Sequence, residues 1–219
     1  MNEPEKLEAA FMGKITAGAT HELKNVLAII KESAGLMEDL IALNKDQFPV
    51  REKFLSVLTR IAEQVARGVE ISSRLNHFAH SPDTVLASVD LNDIVDQVGF
   101  LAHRFARSRK IALKIVRQER SIVLTTDPLK LQMVVFDCLD LLINMVSMGS
   151  GIALLPREVS AGQAVIDFST DRGREYEQID PSAWPNWGSL QLKAGQLNAK
   201  VEPGSAPVWL SLFLTSEGK

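Results

Sequence analysis

Cysteine is nearly absent: Cys138 is the only one among 219 residues. An intrachain disulfide is therefore impossible, and a cysteine-built metal centre is excluded. A charge excess is also missing. The formal charge is −3 and the pI is about 5.8, so the chain is not built to coat nucleic acid. No stretch of ~18 apolar residues occurs, which excludes a membrane-spanning helix. The opening residues, Met1 to Glu5, are acidic and polar, unlike a secretory signal. A cytoplasmic location is the default expectation. There is no internal repeat and no low-complexity tract. What is present is apolar material in quantity, 46% of residues against 23% charged. That balance belongs to a globular chain of one or two domains with a core in each.

The apolar residues are patterned. Leu7, Phe11, Ile15, Ala19, Leu23, Val26, Leu27, Ile30, Ala34, Met37 and Ile41 recur every three or four positions, which predicts a long amphipathic helix. Asn44 to Pro49 reads as a polar turn. A second helical run follows through Phe54, Leu58, Ile61, Ala62, Val65, Val69, Leu75 and Phe78, with a polar face of mixed sign. A two-helix hairpin cannot bury both of its stripes alone. Pairing with a second copy into a four-helix bundle is the expected solution, so residues 1–80 predict a homodimer.

Residues 81–87, opening on Ser81-Pro82-Asp83, read as a linker. Beyond it the order changes to helix (Leu91 to Arg107), two short strands (Lys110 to Arg117, Ile122 to Thr125) and a buried helix (Pro128 to Met148). A hairpin around Ser160-Ala161-Gly162, a polar irregular stretch and two closing strands around Pro203-Gly204 complete it. Residues 88–219 thus predict an α/β sandwich, and the whole chain an α+β fold.

The sharpest segment is His21-Glu22-Leu23-Lys24-Asn25. At about 100° per residue, Ala19, Leu23, Ile30 and Met37 cluster opposite His21, so its imidazole points away from the buried stripe. Asn25 lies one turn along the same face, and Glu22 is adjacent. An imidazole is largely neutral at cellular pH and is a competent nucleophile. A carboxylate can hold its N–H tautomer, and an amide can orient water or phosphoryl oxygens. Lys24 can offset phosphate charge. The competing reading is a surface histidine on a coiled coil.

Phe11, His21-Glu22-Leu23-Lys24-Asn25 and Leu27-Ala28-Ile29-Ile30 together resemble the phosphoacceptor box of bacterial sensor histidine kinases. The resemblance implies that His21 is phosphorylated, that Glu22 is its acid–base partner and that Asn25 aids dephosphorylation of a response regulator. It implies a receiver-docking surface through Lys24, Ala28 and Lys31 and the C-terminal half of the second helix. Val26 departs from the pattern, because the family usually has a helix-bending proline there. The second domain resembles that family's ATP-binding domain in Val89-Asp90-Leu91 and in Asp127-Pro128 leading into an apolar helix.

Its nucleotide motifs depart. The family's magnesium-binding helix carries two asparagines four apart. Counting from Asp127 puts Asp137 and Leu141 there, and a slip of three puts Asp140 and Asn144 there. The adenine motif Asp-x-Gly-x-Gly reads Asp171-Arg172-Gly173-Arg174-Glu175, without its last glycine. The glycine-rich box reads Gly188-Ser189-Leu190-Gln191-Leu192. Side chains there obstruct the close backbone approach to phosphate that glycine permits. Asp140, Asn144, Asp171 and Gly173 therefore read as vestigial nucleotide positions.

These residues predict a histidine phosphotransferase of two-component signalling, relaying phosphate between receiver-domain aspartates through His21. Its partners would be receiver domains and an upstream hybrid kinase, with magnesium supplied by the receiver and no ATP or metal held by the chain. The alternatives are a soluble ATP-dependent histidine kinase and a non-catalytic scaffold that binds response regulators.

Overall fold

The computed structural model describes residues 3–43, 51–171, 183–204 and 207–216. The chain divides into two compact units, residues 12–79 and residues 1–11 with 80–219.

The first unit is built from α1 (Glu3–Leu43) and α2 (Arg51–Ala79). The predicted turn at 44–49 lies outside the described residues. α1 runs without a break through Val26, as expected for a β-branched residue in place of proline. Ile15, Gly18, Ala19, Glu22, Val26 and Ser33 are its buried positions in this unit. Facing them, α2 buries Val57, Ile71 and Phe78. The helices come close where α2 has Gly68, since a Cβ there would lie 3.2 Å from Val26 Cγ1.

This buried stripe is rotated by about 60° from the one the periodicity predicts. Leu23, Ile30 and Met37 are only half-buried. A second apolar stripe stays open. Leu55, Leu58, Ala62, Val65 and Val69 follow one another at alternating gaps of three and four along α2, and all are exposed, Val69 by 66%. On α1, Leu27 is 63% exposed.

The second unit is a mixed sheet with helices packed against it. β1 (Ala87–Asp90) pairs antiparallel with β3 (Val123–Thr126) in a small two-stranded sheet. The main sheet has the order β2-β4-β5-β7-β6. Its strands are β2 (Ala112–Ile115), β4 (Gly151–Ser160), β5 (Gln163–Thr170), β6 (Lys200–Pro203) and β7 (Val208–Thr215). Among the described strands, only β2 and β4 run parallel to each other. Between them in sequence lie β3 and α4 (Pro128–Met145), the long crossover that a parallel pair requires. The remaining helices are α3 (Leu91–Ser108) and α5 (Trp187–Gly195).

Alternation along the strands builds the core. Ile152 and Leu154 of β4, Ala164, Ile166 and Phe168 of β5, Val201 of β6, and Leu210, Leu212 and Leu214 of β7 share one face and are all buried. α3 lies close to β2 because Gly99 has no side chain, and a methyl group there would overlap Ile115. Phe136 of α4 meets Phe105 and Phe11 edge-on, each with centroids 5.5 Å apart.

Local chemistry sets the element ends. Asp90 caps α3, its carboxylate accepting from the N–H of Asn92 at 2.9 Å and of Ile122 at 3.3 Å. Burial works against the Asp90 carboxylate. Hydrogen bonds from the Ser121 side chain and those two N–H groups, with the Arg117 charge, outweigh it and hold the carboxyl below its usual range. Asp127 caps α4 by accepting from Lys130 N–H at 3.0 Å, with Pro128 in the first turn. Gly162 turns the β4–β5 hairpin at φ +74°, a conformation that favours glycine.

β4 runs to Ser160, through Pro156. β2 has already ended opposite Leu154. The missing proline N–H therefore breaks no ladder on that side. Most of the polar stretch predicted to be irregular, residues 172–182, lies outside the described residues, and α5 follows it, a helix not expected from the sequence.

Candidate functional site

The candidate site lies on the open face of α1. His21, Lys24, Asn25, Ala28 and Lys31 are all exposed. Their spacing of three, one, three and three residues places them on one side of the helix. The Asn25 amide faces the imidazole, with Nδ2 3.3 Å from His21 Nδ1.

Glu22 does not join this group. Its position falls on the buried stripe between Ile15 and Val26, and the residue is only 9% exposed. Its carboxylate forms an ion pair with the guanidinium of Arg67 on α2. A charge placed between two helices needs such a partner, because an unpaired buried carboxylate is costly. Arg67 is the residue that sequence reasoning missed. The available signal was the buried-face position of Glu22, four residues before Val26, which calls for a cation on the opposing helix.

In the second unit, two of the predicted nucleotide positions, Asp140 and Asn144, share one face of α4 with Asp137. Asp137, Asp140, Leu141 and Asn144 sit at i, i+3, i+4 and i+7 on α4. With Ser189 and Lys193 of α5 they line a cavity of about 270 Å³. Both registers weighed in the sequence therefore share one helix face. Lys193 Nζ crosses this face to Asp137 Oδ2 at 2.6 Å. Asn144 is engaged at both ends of its amide. Its Nδ2 donates to the Asp140 carbonyl at 2.8 Å, and its Oδ1 accepts from Arg109 Nη1 at 3.0 Å.

Asp171 is not part of that lining. Its Oδ1 accepts from the Gly151 N–H at 2.8 Å, tying the end of β5 to the start of β4. Gly173 lies outside the described residues. Trp184 is buried, with its ring edge-on to Trp187 at 5.2 Å. On α4, burial pushes the Cys138 thiol well up, and the neighbouring Asp137 charge adds to it.

No family model matches the chain. Curated relatives do. Sensor histidine kinase ZraS of Salmonella typhimurium is 27% identical over 174 residues, covering 80% of this chain and 35% of that protein. ZraS of Escherichia coli is 24% identical over 180 residues, covering 82% of this chain and 37% of that protein. The chain thus spans little more than a third of the length of these relatives. Among solved structures, the histidine kinase AdeS of Acinetobacter baumannii aligns with a TM-score of 0.47 at 12% identity, covering 90% of this chain and 98% of that one. The histidine kinase ThkA, solved in complex with the response regulator protein TrrA, aligns with a TM-score of 0.47 at 12% identity, covering 95% and 63%. With its His-Glu-Leu-Lys-Asn segment on the first helix, the chain is similar in sequence to bacterial sensor histidine kinases.

Proposed function

We propose that this chain acts in two-component signalling as a histidine phosphotransferase, accepting a phosphoryl group from one receiver-domain aspartate and passing it to another through His21. The observation that carries the reading is a contrast. The imidazole of His21 stands on an open helix face. The polar groups at the nucleotide positions of the second unit are engaged with protein partners. Leu141 offers only an aliphatic side chain where the count from Asp127 calls for a magnesium-binding amide.

In the transfer, the Nε2 lone pair forms a bond to phosphorus in line with the breaking bond to the aspartyl oxygen, which leaves with its electron pair. The receiver's acidic site supplies the magnesium. Lys24 and Lys31 flank the ring and favour approach of an acidic receiver surface and its phosphoryl group. Ala28 keeps the middle of that surface low. The exposed stripe of Leu55, Leu58, Ala62, Val65 and Val69, with Leu27, supports a homodimer. Its alternating gaps of three and four suit helix-on-helix packing, and single chains rarely leave such a stripe uncovered.

One experiment separates the readings. A receiver labelled on its aspartate is mixed with the chain, and label on the chain is followed in the native protein and in His21→Gln. Transfer to the native chain that disappears in the variant establishes the phosphotransferase. Label taken directly from ATP and magnesium makes the chain a kinase instead. Receiver binding without transfer, unchanged in His21→Gln, makes it a scaffold. Titration with ATP, watched by the fluorescence of Trp184 and Trp187, is expected to give no saturable change.

A further inference from the structure

We infer that the corner where α3 turns into β2 is a docking surface for an acidic polypeptide segment, read chiefly by Lys110 with Arg104 and Arg107. The inference lies within the second unit, goes beyond the phosphotransfer reading and does not rest on it. Two observations carry it: an excess of cations, and a lysine where the backbone favours glycine. Between Asp96 and Glu119 the sequence holds no acid. Arg104 and Arg107 stand one turn apart on the outward side of α3, opposite the buried Ala102 and Ala106. Arg109 caps the helix, and its Nη1 donates to Asn144 Oδ1 at 3.0 Å. Lys110 follows and is exposed. Asp140, one turn before Asn144 on α4, offsets part of this charge, but four cations outnumber it. The Ala112 N–H donates to the Ser150 carbonyl at 3.0 Å. That bond sets the turn at 147–150 beside the corner, and Met148 in it is 58% exposed. Cations around an exposed, adaptable apolar side chain suit an acidic segment that carries an apolar residue of its own.

Cations at a helix C-terminus also complement the helix dipole, and Arg107 is so placed. The backbone at Lys110 separates the two roles. The Lys110 N–H donates to the Arg107 carbonyl at 3.0 Å, and the Ile111 N–H to the Ala106 carbonyl at 2.9 Å. This pair of bonds makes the helix-ending turn whose first residue past the cap takes a positive φ and is usually glycine. Here φ is +57° and the residue is lysine. After α5, the similar turn uses Asn198 at φ +50°, and asparagine tolerates that region better than lysine. Lys110 thus stands against the local backbone preference, and its charge has a use outside the turn. An extended polyanion, whether a nucleic-acid duplex or an anionic bilayer, fits less well. It would face the surroundings of the corner too, and the whole chain carries −3. A short acidic segment meets the corner alone.

The test uses the full-length chain and a fluorescein-labelled peptide of repeated Glu-Glu-Leu, followed by anisotropy. Binding is expected, weakening as salt rises, and a Gln-Gln-Leu counterpart should not bind. Lys110→Gly should raise the dissociation constant about threefold, the size of one exposed ion pair. Arg104→Gln combined with Lys110→Gly should raise it about tenfold. Lys110→Gly is also expected to raise the thermal denaturation midpoint, because glycine suits the turn. A lysine that served only the fold would give the reverse. Absent peptide binding, equal binding of the Gln-Gln-Leu peptide, a dissociation constant unmoved in both variants, or a lower midpoint in Lys110→Gly overturns the inference. So does tighter binding to phosphatidylserine vesicles or to a DNA duplex than to the peptide. None of these readouts uses His21, so receiver transfer succeeds or fails independently of them.

Discussion

The two units use their polar residues in opposite ways. On the hairpin, His21, Lys24, Asn25 and Lys31 are exposed, and one apolar stripe is open as well. In the sandwich, Asp90, Asp127, Asp137, Asn144 and Asp171 hold helix ends, strand ends or each other's elements together. A polar group that closes an internal hydrogen bond contributes to the fold but is no longer free for a ligand. The difference points to the hairpin as the surface that the proposed receiver would meet. The candidate chemistry of the hairpin faces outward on α1, whereas these side chains of the sandwich are engaged within the fold.

The comparison can be broken most forcefully at the open stripe. Leu58→Asp combined with Val65→Asp places two carboxylates where the second copy is expected to pack. Burying charge without partners is prohibitive, so the dissociation constant of the dimer should rise by at least about a thousandfold. Sedimentation should then find a monomer, while the sandwich keeps its stability. An unchanged dimer would assign the stripe to some other contact. Next in size is Phe168→Ala. Phe168 of β5 is fully buried. Its loss should cost about 3–5 kcal/mol, seen as a lower denaturation midpoint of the sandwich. Hairpin helicity should persist if the two units are separable.

Smaller effects sharpen the contrast. Asp127→Ala removes the cap of α4. It should lower stability by about 1 kcal/mol in urea denaturation, with no effect on phosphotransfer. Smallest is the acid response of Asp90. Its carboxyl is held below the unfolded value near 3.8, so the ionised form stabilises the fold. That contribution is full above the unfolded pKa and is lost as pH falls through the lower folded one. Asp90→Asn should therefore flatten part of the fall in stability below about pH 4, measured as the difference in unfolding free energy between pH 7 and pH 3.

Much of this was legible from residue order. The placement of His21 and Asn25 on one face followed from helical period alone, and the helix opening at Leu91 and the hairpin around Ser160-Ala161-Gly162 were legible from apolar pattern and turn residues. Three features were not. The buried stripe of α1 was misplaced because its apolar residues serve two surfaces. Ile15 and Val26 face α2, while Leu27 stays exposed, and a single periodic average falls between them. Glu22 was assigned to the ring because neighbours in sequence are visible and Arg67, 45 residues away, is not. α5 was hidden because Gly188 and Gly195 lower helix propensity, which tertiary packing of Leu190 and Ala194 overrides.

The sequence by itself determined which residues could do chemistry and on which helix they stand, because period and composition are local properties of the chain. Only the tertiary structure decided what each polar group is committed to. Arg67 claims Glu22, Gly151 claims Asp171, Lys193 claims Asp137, and Asn25 is left against the imidazole. Such commitments depend on distances between segments far apart in sequence, which no local pattern encodes.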